Sequence, residues 1–445
     1  MGLQNITETY QVETPPSPPY SAPVYDLEPP VPLNDAEVFS TNGGYTHAAF
    51  REMREKAPVM WHPETKGAGF WAVTSYDLVK AVELDPATYS SQKGGILMNY
   101  GLPDAPRHPL LHASSLNSLI NLDRPYHTPL RMEHMQFFRA NYVAELKKRV
   151  DAEVSRLLDA MERQGPVVDM VEHFSAELPL FTLCEILGVP EADRPKLVHW
   201  MHFLEQSQYQ AQQEGLGNVT PEQIMAFMAE IEAMFDYGRS LLTERQKEPR
   251  EDLLSAIANA KIDGEPLSPE FLDGSWLLIV FAGNDTTRNS LSGTMRLLSE
   301  NLDQRQKLMD HPDLFPNFVH EAIRLVSPVT YMRRTVAQET KLGGQPLQPG
   351  EKVVMYYVAA NRDPAKFDRP DAFDITRANA TEHLAFGHGP HVCLGQRVAN
   401  MQLEAAYRQI LGRFPNVRWT GEQEIAPSNF VHAISKLQID LGTPA

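Results

Sequence analysis

The sequence predicts an α+β protein, mainly helical with a smaller β region. Three observations lead to that fold class. Helical periodicity runs through residues 126–163, 171–187, 191–209 and 221–246 with little strand signal between them. A segment starting at Ser268 stays compatible with helix for about thirty residues and has an almost wholly apolar centre. Strand and turn character is confined to a short stretch near residue 70 and to the part of the chain after residue 328.

Taken in order, residues 1–32 contain "TPPSPPYSAPVYDLEPPVP". Proline there fixes φ and removes backbone donors, so the segment carries no regular structure and is read as a tail or a surface-hugging arm. "THAAFREMREKAP" has helical spacing, "GFWAVTS" reads as a strand, and "YDLVKAVEL" resumes a helix. Residues 94–125 are long, irregular and apolar, which in a compact domain suggests a functional lid. After the four helical stretches, Ser268 is placed as N-cap and Pro269 at the first helical position of the long apolar helix, which must cross the interior. "TVAQETKLGGQPLQPGEKVVMYYVAAN" then pairs β-type runs with Gly-Gly and Pro-Gly turns, and "QRVANMQLEAAYRQIL" is an amphipathic helix. There is no internal repeat and no credible linker, so residues 33–445 are expected to form one domain behind the proline-rich arm.

Composition narrows the function. The 445 residues are 42% hydrophobic and 22% charged, as in a soluble globular protein, and one large domain with a core divided by a cofactor fits that length. A formal charge of -17 argues against nucleic acid as a partner. Two cysteines exclude a disulfide framework and any four-cysteine zinc or iron–sulfur site, and they fit a reducing cytoplasm. Cys184 lies in the apolar helical pattern "LPLFTLCEILGVP" and is assigned to the core. With no basic segment before an apolar core at the N-terminus and no bilayer-length apolar run, the expectation is a cytoplasmic protein without membrane insertion.

Cys393 has quite different neighbours. It sits in "FGHGPHVCLG", where Phe386, Gly387, Gly389, His391, Cys393 and Gly395 precede the amphipathic helix. A thiolate at a helix N-terminus is stabilised by the dipole and by free N–H groups, and glycines let the chain pass close to a flat ligand. Leu394 and Gly395 are placed to aim amides at the sulfur. The pattern F-G-x-G-x-H-x-C-x-G is matched at every fixed position, and here the chain resembles the cytochrome P-450 superfamily of haem-thiolate monooxygenases. The resemblance extends from about residue 45 to "SNFVHAISKLQIDL". It implies that haem b lies between the long central helix and the cysteine loop, with Cys393 as the axial iron ligand and Phe386, Gly387, His391 and Gly395 around it.

Further motifs fit the same resemblance. "AGNDTT", from Ala282 to Thr287, interrupts the apolar helix, where a glycine costs about 1 kcal/mol relative to alanine. The Thr286 hydroxyl can turn back to the carbonyl of Ala282 and bend the helix. Two readings stand side by side: a packing kink with Asp285 paired to some arginine, or, as the family implies, Gly283 admitting porphyrin and dioxygen while Asp285 and Thr286 position water and relay protons. Members of the family that use peroxide directly tend to lack the acid–alcohol pair, so its presence implies dioxygen and an electron donor. Glu321 and Arg324 form E-x-x-R, which the resemblance completes with Arg377 as a structural brace for the cysteine loop. For the haem propionates it implies His127 and Arg131, His391, and Arg334 rather than Arg333, since adjacent strand residues point to opposite faces.

Segments such as "GNDTTRNSLSG", "MRRTVAQET" and "GAGFWAV" are similar to soluble bacterial members acting on linalool, other terpenoids, alkanes and steroid side chains. The implied reaction is hydroxylation of a hydrophobic small molecule: a terpenoid, an alkane, an aromatic or alicyclic hydrocarbon, or a steroid side chain. It uses dioxygen and two electrons. No flavin or nicotinamide fingerprint is visible, so a ferredoxin and its NAD(P)H-dependent reductase are expected to supply them. Arg131, Arg139, Lys147, Lys148 and Arg397 are candidates for the basic docking patch. Substrate-pocket candidates are Leu97 and Met98 in the lid, Ile279 and Ala282 on the long helix, Val329 and Tyr331, and Phe430, each of which could equally be core. Two other functional classes are a haem-thiolate redox or gas sensor without turnover, which would not need "NDTT", and a hydrophobic-ligand carrier, which would need neither the cysteine loop nor the propionate cations.

Overall fold

The computed structural model describes residues 21–25, 27–41, 46–64, 68–95, 109–213 and 220–442. The first half follows the periodicity. Helix α1 (His47–Lys56) leads into strands β1 (Val59–His62) and β2 (Phe70–Val73). In α2 (Tyr76–Leu84), Tyr76, Val79, Val82 and Glu83 lie on the buried face, and the short β3 (Tyr89–Ser90) follows. Then come α3 (Pro109–Leu116), α4 (His127–His134) and the long α5 (Ala140–Gln164). The last buries Val143, Leu146, Val150, Val154, Leu157 and Met161 at helical spacing and stops at Gly165 with φ 125°.

The middle is helical apart from three short strands. Strand β4 (Val167–Asp169) precedes α6 (Glu177–Leu187) and α7 (Arg194–Gln213). Helix α8 (Pro221–Lys247) starts from a capping box in which Thr220 and Gln223 bond each other's backbone, with Pro221 in the first turn. Helix α9 (Leu253–Asn259) is capped by the Asp252 carboxylate, and a small hairpin of β5 (Lys261–Ile262) and β6 (Glu265–Pro266) follows. The apolar segment expected as one helix of about thirty residues is two: α10 (Pro269–Ala282) and α11 (Asp285–Glu300), broken at Gly283 and Asn284. Residues 94–125, expected to be irregular, contain α3 and a 3-10 turn at Leu119–Asn121. Leu97 and Met98 lie outside the described residues.

The C-terminal half holds α12 (Leu302–Asp310), α13 (Phe315–Val326), β7 (Tyr331–Val336), β8 (Thr340–Leu342), β9 (Gln345–Leu347) and β10 (Lys352–Tyr356). It ends with α14 (Tyr357–Ala360), α15 (Gln396–Arg413), β11 (Arg418–Ile425) and β12 (Ile434–Asp440). The main sheet has the order β1-β2-β10-β7-β3; β10 runs parallel to β2 and antiparallel to β7. The described part of the proline-rich arm lies against this half of the molecule through Ser21 and Val24. Ser21 donates to the Glu351 carboxylate at 3.0 Å, Val24 N–H to Gln345 at 2.7 Å, and Leu33 N–H to His62 at 2.8 Å.

The core falls into three clusters. One joins the helices α5, α6, α8, α11, α13 and α15, one surrounds the main sheet, and a small one holds Leu119, Leu122, Leu130, Ile262, Leu267 and Phe271. The last turn of α10 touches all three: Ile279 packs on the first, Phe281 on the second and Leu278 on the third. No helix among the described residues is long and apolar enough to cross a membrane.

Candidate active site

The cysteine loop runs from the turn after Ala380–Glu382 to the start of α15. Gly387 and Gly389 adopt φ 69° and 67°, a region that side chains avoid. At Gly389 a Cβ would also lie 2.6 Å from the carbonyl oxygen of Glu83, so the loop sits directly on α2. Cys393 N–H donates to Phe386 C=O at 2.8 Å, which folds the loop back on itself. Burial pushes the Cys393 thiol up, while amides of Gly395 and Gln396 and the charge of Arg131 pull it down. The donating amides are therefore those of Gly395 and Gln396, not the expected Leu394 and Gly395. Cys393 is itself exposed.

Beside it is a crowd of cations. Arg131 on α4 donates to Val392 C=O at 2.7 Å. The rings of His127 and His391 lie 4.1 Å apart. Burial, then Arg131 and Arg334, depress His127 to about 4; burial, then Arg334, His127 and Arg131, depress His391 to about 2. His127 Nε2 is buried and has no hydrogen-bond partner. His391 Nε2 reaches Ser91 Oγ at 3.3 Å and the Asp123 carboxylate at 3.9 Å. Burial first, and then the nearby guanidiniums, hold both imidazoles neutral, and a ligand bearing carboxylates would offset the positive field of Arg131 and Arg334. On β7, Arg334 points to Glu83 at 3.1 Å, whereas Arg333 bonds Thr335 on the opposite face.

Glu83 was not singled out from sequence. Its carboxylate, fully buried, also accepts from the Tyr357 hydroxyl. Its position four residues after Val79 and seven after Tyr76, both buried, put it on the inner face of α2, and that spacing was the available signal.

Behind the loop, Glu321 and Arg324 on α13 are bidentate at 2.7 and 2.8 Å, and Arg377 Nε reaches the same carboxylate at 3.0 and 3.1 Å. Arg324 also donates to the carbonyls of Asn361 and Pro370, and Arg377 to those of Asp368, Arg369 and Ala372. All three side chains are buried. The trio thus pins residues 361–377, the run of chain that leads into the cysteine loop.

At the α10–α11 junction, Thr286 Oγ1 donates to Ala282 C=O at 3.2 Å, and Asp285 pairs with Arg288 at 3.5 Å. Asn284 is buried with its Oδ1 lacking a hydrogen-bond partner. A Cβ on Gly283 would meet Leu183 of α6 at 3.2 Å, so its missing side chain lets α6 pack closely against the helix break. Ala282 is exposed and Ile279 half-buried although both lie mid-chain in an apolar helix.

Of the remaining pocket candidates, Tyr331 is fully buried, bonds Asn429 at 3.4 Å and packs on Tyr356 and Phe430, so it belongs to the sheet core. Phe430 is in the same cluster, and half-buried Val329 bridges to Val431 beside it. On the surface, Lys147 and Lys148 are paired with Asp151 and Glu145 of their own helix, which blunts their part in a basic patch.

The family model "Cytochrome P450" matches residues 38–438. The chain is 32% identical over 99% of its length to a methyl-branched lipid omega-hydroxylase of Mycobacterium bovis, covering 99% of that protein. It is 32% identical over 89% of its length to linalool 8-monooxygenase of Pseudomonas putida, covering 95% of that protein. Among solved structures, CYP108D1 of Novosphingobium aromaticivorans superimposes with a TM-score of 0.82 at 29% identity, over 94% of this chain and 100% of that one. A Mycobacterium marinum cytochrome P450 in complex with pseudoionone gives 0.81 at 30% identity, over 94% and 98%. With the family model spanning residues 38–438 and relatives above 30% identity over nearly the whole length, the chain belongs to the cytochrome P450 monooxygenases.

Proposed function

We propose that residues 33–445 form one haem-thiolate domain that hydroxylates a hydrophobic small molecule with dioxygen and two electrons from a ferredoxin and its NAD(P)H-dependent reductase. The observation that carries the reading is Cys393: an exposed thiol approached by two backbone amides and an arginine. Haem b fits the residues present, since the iron takes a thiolate and the two propionates take the unpartnered His127 Nε2 with Arg131, His391 and Arg334. Bound there, haem would supply the dioxygen activation that no side chain of the protein can perform.

The protein's part is positional. Amides of Gly395 and Gln396 hold the negative charge on Sγ, and Gly387 and Gly389 keep the backbone close to α2. Phe386, through its carbonyl, fixes the Cys393 backbone, and the Glu321–Arg324–Arg377 trio braces the chain behind it. Thr286 and Asp285 at the helix break hold and pass protons from water to dioxygen. The Thr286 hydroxyl, parked on Ala282 C=O, presents its own lone pairs away from the helix. Asp285, 3.5 Å from Arg288, takes a proton from water on its carboxylate and hands it on toward Thr286. Ile279 and Ala282 of α10, with Val329, line the apolar side where substrate lies; Leu278 and Phe281, not anticipated from sequence, flank them.

The relatives favour a lipid or terpenoid substrate, because the named ones act on a methyl-branched lipid, linalool and, in Rhodococcus jostii at 28% identity, a steroid at C26. The test is turnover of a panel of branched lipids, monoterpenols, alkanes and sterols under isotopically labelled dioxygen with a bacterial ferredoxin and reductase. One labelled oxygen atom in a hydroxylated product is expected. Haem-loaded protein that takes up electrons and hydroxylates no member of the panel contradicts the substrate class.

A further inference from the structure

Behind the cysteine loop lies a pair of histidines that neither the reaction nor the ion trio uses. His320 is the residue before Glu321 on α13, and His383 opens the run into Phe386. Their rings face each other with centroids 5.6 Å apart, and His320 Nδ1 lies 3.4 Å from His383 Nε2. His383 is buried; His320 is half-buried.

The backbone settles which nitrogen carries which proton. Ala385 N–H donates to His383 Nδ1 at 3.2 Å, so Nδ1 presents a lone pair and the single proton of the neutral ring is on Nε2. Nε2–H therefore donates to His320 Nδ1, a long but properly directed bond, and His320 carries its own proton on Nε2. His383 is held neutral first by burial and then by His320 and Arg324. Its second contact is the Phe386 ring, 5.5 Å away, and Phe386 C=O accepts the Cys393 N–H. A chain of contacts thus runs from α13 through His320, His383 and Phe386 to Cys393. A parallel tether holds the next residue, since Leu384 N–H donates to Asn361 Oδ1 at 2.6 Å and Asn361 is fixed by Arg324 and Ser327.

We propose that the His320–His383 hydrogen bond is a positioning device for the thiolate ligand, keeping the cysteine loop in register with α13. The inference rests on Cys393 being the iron ligand. Removing the acceptor would leave a buried N–H unsatisfied and free the His383 ring, and with it Phe386, to shift. An acceptor of another kind at position 320 would preserve the device.

The test compares wild type, His320→Leu and His320→Gln as haem-loaded, reduced, carbon monoxide-bound proteins. The readout is the rate at which the long-wavelength absorbance of the thiolate-ligated form converts to the shorter-wavelength form in which the thiolate is lost. His320→Leu should convert about tenfold faster, the loss typical of an outer-shell partner, and His320→Gln, whose amide oxygen can accept from Nε2–H, should stay within about twofold of wild type. Equal rates in Leu and wild type, or equally fast loss in Leu and Gln, would overturn the proposal. As a readout independent of haem uptake, histidine-labelled protein should show a slowly exchanging His383 Nε2 proton in wild type and His320→Gln but not in His320→Leu; the same signal in all three also overturns it. If wild type itself lacks the thiolate band, Cys393 is not the ligand, and that failure is read without any variant.

Discussion

The cysteine loop and the α10–α11 junction are both irregular backbone in the protein interior, and they are held in opposite ways. Around the loop, charge and hydrogen bonds are closed: Glu321 is shared by two arginines, these cap five backbone carbonyls, and His383 and Asn361 each anchor a neighbouring amide. At the junction, Asn284 Oδ1 lacks a partner, Ala282 is exposed, and the Thr286 hydroxyl bonds only the turn it sits on. The first arrangement fixes an atom. The second leaves groups able to reorient around a guest, which a site handling dioxygen, water and substrate requires.

If that division holds, damage to the two regions differs in kind. Arg324→Ala should have the largest effect, because it strands Glu321 and Arg377 in a buried site at a cost of about 3–5 kcal/mol. The expected outcome is failure of stable haem incorporation, measured as haem per chain alongside thermal unfolding. A fully loaded, normally stable Arg324→Ala protein would erase the contrast.

Changes at the junction should spare assembly and spoil chemistry. Thr286→Ala is expected to keep haem content, substrate binding and electron uptake while diverting most reductant into hydrogen peroxide. Asp285→Asn should slow the whole cycle several-fold, with a larger solvent isotope effect. Its lost charge opposite Arg288 makes haem content the necessary control. The packing-kink reading has gained ground from Gly283 and Leu183, and it predicts lower stability with unchanged product per NAD(P)H. The ratio of product to peroxide in one assay separates the two.

A smaller effect concerns pH and sharpens the contrast on the loop side. His383, pushed down to about 3, and His134, pushed down by burial to about 4, stay neutral in the folded protein well below the ordinary value of 6.5. The unfolded chain takes up those protons first, so stability is retained above about 6.5 and falls as pH drops from there toward 3. Denaturant midpoints measured across that window should fall steadily, and less so in a His134→Gln variant. The smallest effect is expected from Cys184→Ser. That thiol is raised to about 12 by burial in the helical core, so the swap should cost about 1 kcal/mol and leave the haem spectrum unchanged.

Much of this was readable in the sequence, and what was missed has a common cause. The helices at 47–56, 140–164 and 396–413 follow from apolar spacing alone, and the strands at 331–336 and 352–356 from β-branched runs between glycine and proline turns. The break at Gly283–Asn284 was signalled by residue type, but its extent was not, because two residues out of helical register cannot be told from a bend by periodicity. The α3 helix was hidden by a glycine and two prolines just before it and a third proline, Pro109, at its start. Long-range partnerships were the blind spot. Glu83 meeting Arg334 and Tyr357, His320 meeting His383, and Leu183 filling the space at Gly283 join residues 63 to 274 positions apart, and no local pattern encodes them. The Gln396 amide was missed for a different reason: α15 begins at Gln396 as expected, and the N–H groups of its first turn have no partner within the helix and so turn to the sulfur.

The claim on which the account turns is that Cys393 supplies the thiolate while Thr286 works on the other side of the reaction. The most direct measurement is the absorbance spectrum of reduced, carbon monoxide-bound Cys393→Ser and Thr286→Ala beside wild type. Wild type and Thr286→Ala should show the long-wavelength band of a thiolate-ligated haem, and Cys393→Ser should lack it entirely. The band surviving in Cys393→Ser, or vanishing in Thr286→Ala, would contradict the account.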